Sequence, residues 1–232
     1  MRGGAVVRGG AVVRGGAVVR ASLLVVAKAP VPGQAKTRLA PPDEAADLAA
    51  AALLDTLDAV LATPGVQPVV ALTGDLTAAR RATEVTALLD RVAVIAQRGP
   101  TFADRLANAH RDTARRHGLP VLQIGMDTPQ VTPDLLADAV DTLLGHDAVL
   151  GPATDGGWWA LGLRDTAIAG CLRDVPMSQP DTGARTLAAL RRHTASIGTL
   201  PPLSDVDDMA AAREVARLAP GTRFAQALGV RR

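Results

Sequence analysis

Short apolar, β-branched runs alternate with helical amphipathic segments along most of this chain, and that alternation limits the fold more than any other feature. Ser22–Lys28 (SLLVVAK), Pro68–Thr73 (PVVALT), Arg91–Ala96 (RVAVIA) and Leu119–Gly125 (LPVLQIG) read as buried strands. Between them, Asp43–Ala62, Leu76–Asp90 and Phe102–His117 read as helices. In the first of these, Leu53, Leu57, Val60 and Leu61 share one face. Thr132 suits an N-cap, with Pro133 in the first turn of a fourth helix. Asp147–Leu150 and Trp158–Leu163 follow as strands, and helical pattern returns over Thr182–Arg192 and after Asp207. Nearly continuous apolar strands separated by amphipathic helices predict an α/β fold: a mostly parallel central sheet with helices on both faces. In such sheets ligands bind beyond the carboxyl ends of the strands. Ala29–Leu39, Gly74–Asp75, Gln97–Thr101, Gly125–Pro129 and Gly151–Gly157 are therefore the segments to search for chemistry.

Residues 2 to 19 are three tandem copies of RGGAVV. Their glycines and arginines interrupt any apolar run, which argues against a secretory signal. We expect residues 1–20 to be a flexible extension and residues 21–232 a single domain. The segment also distorts the charge balance. Arg2, Arg8, Arg14 and Arg20 carry four positive charges and no acid accompanies them, so the formal net charge of the remainder is +2 − 4 = −2. The mildly acidic remainder, with two Trp, two Phe and no Tyr in the chain, gives no basis for nucleic-acid binding. A lone Cys171 excludes a disulfide framework, and no apolar run reaches the ~18 residues of a membrane span. These features predict a cytoplasmic protein.

The first loop, AKAPVPGQAKTRL (27–39), sets Lys28, Lys36 and Arg38 at a strand end. Lys36 and Arg38 offer a point charge and a planar fork to phosphate oxygens, and Gly33 allows close backbone approach. It is no Walker loop: Ala35 stands where Gly must precede Lys, and Pro41-Pro42 interrupt the helix that should follow. An exposed basic loop is the plainer reading of these residues alone.

Asp127 directly follows an interior strand, and Asp205, Asp207 and Asp208 stand in LSDVDD near the C-terminus. One carboxylate from the strand end and one or two from the late segment suit Mg²⁺, whose octahedron is completed by water and phosphate oxygens. Structural readings stand beside this one. Asp127 before Thr-Pro suits an Asx turn, and Asp207 suits the N-cap of the last helix. Asp155, in GPATDGGWW (151–159), could orient an acceptor hydroxyl or take its proton, and Trp158 or Trp159 could stack on a sugar or base, although core packing is the commoner use.

Together AKAPVPGQAKTRL, IGMDTPQ (124–130), LGPATDGGWWALGL (150–163) and LSDVDD (203–208) resemble the bacterial GT-A-like family of radical-SAM/selenodomain-associated transferases. The Lys-Thr-Arg-Leu loop and the late Asp-Val-Asp are also similar to those of 2-phospholactate guanylyltransferases. The resemblance implies a GT-A, or nucleotide-diphospho-sugar transferase, fold, a nucleotide or nucleotide-sugar donor, a small-molecule acceptor and a divalent metal, Mg²⁺ or Mn²⁺. By it Lys28, Gly33, Lys36 and Arg38 are expected at the donor phosphates. Gln97 and Arg105 are expected at the donor from the loop QRGPTFADR, which is similar to the family's loop before the third helix. Asp127, Asp205 and Asp207 are expected on the metal. Lys36, Arg38 and Asp155 are the expected catalytic groups. Where the family usually carries a tyrosine pair this chain has Trp158-Trp159, and Met126 and Met177 replace a small residue and a tryptophan. Nucleotidyl transfer from an NTP, glycosyl transfer from a nucleotide sugar, and a silent nucleotide-binding module remain as readings.

Overall fold

The computed structural model describes residues 12–14, 17–34, 36 and 39–229. Arg38 and most of the RGGAVV repeats lie outside the described residues. Among the described residues the strands are β1 (Val12–Arg14), β2 (Ala17–Val19), β3 (Ala21–Lys28), β4 (Val66–Thr73), β5 (Ala93–Ala96), β6 (Val121–Gly125), β7 (Ala148–Pro152), β8 (Trp158–Leu163) and β9 (Ile197–Thr199). The α-helices are α1 (Pro42–Ala62), α2 (Ala82–Leu89), α3 (Phe102–His117), α4 (Pro133–Gly145), α5 (Thr182–Arg191), α6 (Met209–Leu218) and α7 (Arg223–Ala227).

β1 and β2 pair with each other, antiparallel. The other seven strands form one sheet in the order β5-β4-β3-β6-β8-β7-β9. β3, β4, β5 and β6 are mutually parallel, whereas β8 runs antiparallel to both neighbours. The chain winds outward from β3 through β4 to β5, then returns to place β6 on the other side of β3. That reversal opens a crevice at the carboxyl ends of β3 and β6, where an α/β sheet binds ligands.

Alternate residues of β3 face opposite layers. Leu23 and Val25 pack with Leu53 and Leu57 of α1 and Leu136 and Val140 of α4. Leu24 and Val26 pack with Leu106 of α3 and Leu190 of α5. A third, smaller core joins α1 to α6 and α7 through Leu48, Ala52, Val206, Val215 and Phe224. The end of the repeat region is tied to this body: Val19 is buried, and the Arg20 amide donates to the Gly65 carbonyl at 2.9 Å.

Three elements depart from the sequence pattern. The helix expected over Leu76–Asp90 is broken into a 3₁₀ turn (Leu76–Ala78) and α2, because Arg81 adopts a left-handed backbone (φ 51°). There its guanidinium makes two hydrogen bonds to Asp47 of α1, at 2.8 and 2.7 Å. A 3₁₀ segment over Thr166–Asp174 and the three-residue strand β9 carry too little periodicity to be read in advance. Thr132 caps α4 as expected, accepting from the Leu135 amide with Pro133 in the first turn.

Candidate functional site

The tips of β3 and β6 lie side by side, with Val26 opposite Gly125. Each strand runs directly into a loop carrying one of the expected site residues. Beyond β3, the Lys28 ammonium donates to the Gln34 carbonyl at 2.9 Å and folds the loop back on itself. Gly33 takes φ 76° with nothing within 4 Å of where a Cβ would sit, so the demand on it is torsional. Lys36 is also left-handed (φ 48°), which costs a non-glycine residue about 1–2 kcal/mol. That backbone carries its ammonium into the crevice, 2.8 Å from Asp127 Oδ2 and 2.6 Å from Asp207 Oδ1.

The late acidic segment reaches Asp127 through a series of backbone and side-chain ties. The Leu203 amide donates to the Pro152 carbonyl, and the Leu203 carbonyl accepts from Thr154 N. Gln130 Nε2 donates to the Ser204 carbonyl. Val206 N donates to the Asp127 carbonyl at 3.2 Å, and the Val206 side chain is buried in the third core. One ligand atom from each of Asp127, Asp205 and Asp207 then lies within 4.8 Å of the others. The N-cap of α6 is Asp208, whose Oδ1 accepts from Ala211 N, so Asp207 is left to face the crevice.

The electrostatics follow from this crowding. Burial of Asp205, reinforced by the charges of Asp207, Asp127 and Asp155, pushes its carboxyl up to about 6. Burial disfavours the charge of Lys36, but Asp127 and Asp207 more than offset it and hold the ammonium above its ordinary value. The donor set fits a hard divalent cation. Oxygens on an Mg²⁺ octahedron stand about 3 Å apart when adjacent and about 4 Å when opposite. At least two of three pairs must be adjacent, so carboxylate oxygens within 4.8 Å of one another need to close by up to about 2 Å. A cationic group already bridges two of the three.

Asp155 stands at the rim. Its Oδ1 accepts from Gly157 N at 2.7 Å, a local Asx contact, while its charge reaches Asp205. The glycine before that contact is needed: Gly156 takes φ 90°, and a Cβ there would lie 1.8 Å from the Pro180 carbonyl oxygen. Gln97 uses its side-chain amide to donate to the Ala27 and Ala71 carbonyls, bracing the ends of β3 and β4. Arg105 lies 5.7 Å above the Phe102 ring on α3. Trp159 is 2% exposed, and its indole donates to the Pro201 carbonyl at 2.9 Å. It serves the core and steadies the segment that leads to Asp205, and it offers no face to a sugar. Gln130 is the residue that sequence reasoning passed over; its place three residues beyond Asp127 is the only signal.

A crevice at a sheet's switch point, lined by three converging carboxylates and a lysine, defines the protein as an α/β domain of the nucleotide-diphospho-sugar transferase fold. The chain belongs to the DUF2064 family, uncharacterized proteins conserved in bacteria, whose profile matches residues 56–179. That span contains Asp127, Gln130 and Asp155, with Lys36 before it and Asp205 and Asp207 after it. No curated protein matches in sequence. Among solved structures, a Desulfovibrio desulfuricans G20 protein provisionally assigned as a nucleotide-diphospho-sugar transferase is 25% identical. The match covers 89% of this chain and 97% of that one, with a TM-score of 0.71. CMP:2-keto-3-deoxy-manno-octonic acid synthetase, solved with CTP, is 13% identical over 87% of this chain and 98% of that one (TM-score 0.53). The manganese complex of Rv0371C from Mycobacterium tuberculosis H37Rv is 18% identical, covering 85% and 98% (TM-score 0.53). At those identities the last two establish the shared fold. Among the described residues no helix is long and apolar enough to cross a membrane.

Proposed function

We propose that this chain is a metal-dependent transferase that takes a nucleotide donor, and that its reaction is nucleotidyl transfer from an NTP to a small acceptor bearing a phosphate or carboxylate. The observation that carries this reading is the meeting of Lys36, Asp127, Asp205 and Asp207 at one crevice from segments up to 171 residues apart. Relatives in fold that bind CTP or manganese support it, as does the resemblance of the Lys36 loop to that of guanylyltransferases.

In this reading Asp127, Asp205 and Asp207 hold Mg²⁺ or Mn²⁺, which supplies neutralisation of phosphate charge. Lys36 leaves its carboxylates and pairs with a donor phosphate, and the outward-facing Lys28 adds positive charge at the same loop. Arg38, two residues after Lys36 in the sequence, adds a second cation for the donor phosphates. An acceptor oxygen attacks the α-phosphorus; the bond to the β-phosphate oxygen breaks, and pyrophosphate leaves. No proton need move when the acceptor is an anion. Catalysis on these terms is positioning plus charge stabilisation. Asp155, at the rim, orients the acceptor.

Glycosyl transfer from a nucleotide sugar is the second reading, favoured by the assignment of the Desulfovibrio protein. The burial of Trp159 removes one of the two tryptophans expected to stack on a sugar and leaves the half-buried Trp158. A panel of NTPs and sugar nucleotides with Mg²⁺ or Mn²⁺ separates the two. Pyrophosphate release dependent on acceptor supports nucleotidyl transfer, and free NDP from a sugar nucleotide replaces it with glycosyl transfer. Binding without turnover across the panel leaves a silent nucleotide-binding module.

A further inference from the structure

Beside the carboxylates lies a cavity of about 170 Å³ that opens to solvent. Its deep walls are apolar: Leu48, Ala49 and Ala52 of α1, Val206 and Phe224, all buried. Its polar lining is confined to the solvent side, where Lys28, Gln34, Lys36 and Asp127 meet. Two residues, Lys36 and Asp127, therefore belong both to this cavity and to the carboxylate cluster.

The floor is held in place from below. Asp55 of α1 accepts hydrogen bonds from the backbone amides of Arg223 at 3.0 Å and Phe224 at 2.8 Å. Arg223 reaches back to Asp58 at 2.5 Å. These contacts fix the backbone that carries Phe224, whose ring is buried in the third core, and preformed pockets cost little ordering on binding.

The lining decides what fits. A donor's phosphates, its ribose and the edges of its base all need polar partners, and Leu48, Ala49, Ala52, Val206 and Phe224 offer none. An apolar cavity of about 150 Å³ accommodates benzene, so this one holds a group of about six carbons. The cations at the opening suit an anionic end.

We infer that this cavity is the acceptor's subsite and that it selects a small amphiphilic anion, its apolar body of about six carbons among the α1 and Phe224 walls and its carboxylate or phosphate toward Lys28 and Lys36. The assignment to the acceptor rests on the transfer reaction proposed above; the pocket's preference for such an anion does not.

Calorimetry on the full chain, without metal or nucleotide, tests the pocket using acetate, butyrate, hexanoate, benzoate, phenyl phosphate and inorganic phosphate. Affinity rises from acetate to hexanoate by about fourfold per methylene. Benzoate against phenyl phosphate tells which anionic end is preferred. Ala52→Leu fills the cavity and weakens hexanoate binding by about 10-fold or more, with Mn²⁺ binding retained; Ala49→Val is the milder version should Ala52→Leu fail to fold. Hexanoate and an NTP bind together. Equal affinities along the series, or hexanoate binding unchanged in both filled variants, overturns the pocket. Mutual exclusion of hexanoate and NTP overturns its assignment to the acceptor. Intact hexanoate binding with no response to Mn²⁺ or any nucleotide removes the transfer reading alone.

Discussion

The backbone amide of Val206 donates to the carbonyl of Asp127 at 3.2 Å, joining a strand-end loop to a segment close to the C-terminus. That bond places the side chains on either side of Val206, Asp205 and Asp207, against the Asp127 carboxylate. The site is thus assembled by main chain as much as by charge.

Asp127→Asn keeps the shape of the side chain and removes its charge. It deletes one of the three carboxylates proposed to hold the metal and one of the two partners of Lys36. Mn²⁺ affinity, followed by electron paramagnetic resonance, is expected to fall about 100-fold or more with circular dichroism unchanged. An unaltered affinity removes Asp127 from the metal site.

Lys36→Met separates two roles of one ammonium. Lys36 bridges Asp127 and Asp207, so it competes with a metal for those carboxylates. Without it, Mn²⁺ is expected to bind about 10-fold more tightly in the absence of nucleotide, equivalent to about 1.4 kcal/mol, while NTP binding weakens. Weaker Mn²⁺ binding in the variant contradicts the competition.

Gln130→Ala tests positioning. The residue touches no carboxylate of the cluster through its amide; it holds the Ser204 carbonyl, one residue before Asp205. Loss of such support typically costs metal affinity about 10-fold. The expected result is that loss in Mn²⁺ titration with only a small change in Tm. A large fall in Tm with unchanged metal affinity makes Gln130 a purely structural residue.

His110 sets an acid limit on the fold. It is fully buried in α3, and neither ring nitrogen has a hydrogen-bond partner among the described residues. Burial lowers its pKa from 6.5 to about 3. Between those values the unfolded chain takes a proton that the folded chain refuses, so stability falls as pH falls below 6.5. The slope approaches about 1.4 kcal/mol per pH unit from this residue. Urea melts from pH 7 to 4 are expected to be flatter for His110→Leu than for the parent; parallel pH profiles exclude the effect.

Much of the architecture was legible because each layer leaves a periodic trace. Leu23 and Val25 against Leu24 and Val26 mark a strand buried on both faces, and Thr132-Pro133 marks a helix start. The break at Arg81 was hidden because its cause is a pair of hydrogen bonds to Asp47, 34 residues away. At the site, residue type and position beyond a strand singled out Lys36 and Asp127, and the acidic run LSDVDD singled out Asp205 and Asp207. LSDVDD offered Asp207 as an N-cap, whereas Asp208, with the same side chain one residue on, caps α6. For Trp158 and Trp159 the sequence allowed ligand stacking beside the commoner use, core packing.

By itself the sequence determined the layer order of hydrophobic burial and which strand ends carry charge, since both depend on neighbours a few residues apart. Only the tertiary structure decided that Val206 reaches Asp127, that Lys36 spans two of the carboxylates, and that Trp159 turns inward to Pro201. Those contacts join residues 42 to 171 positions apart. They depend on how the layers close on one another, which local periodicity does not encode.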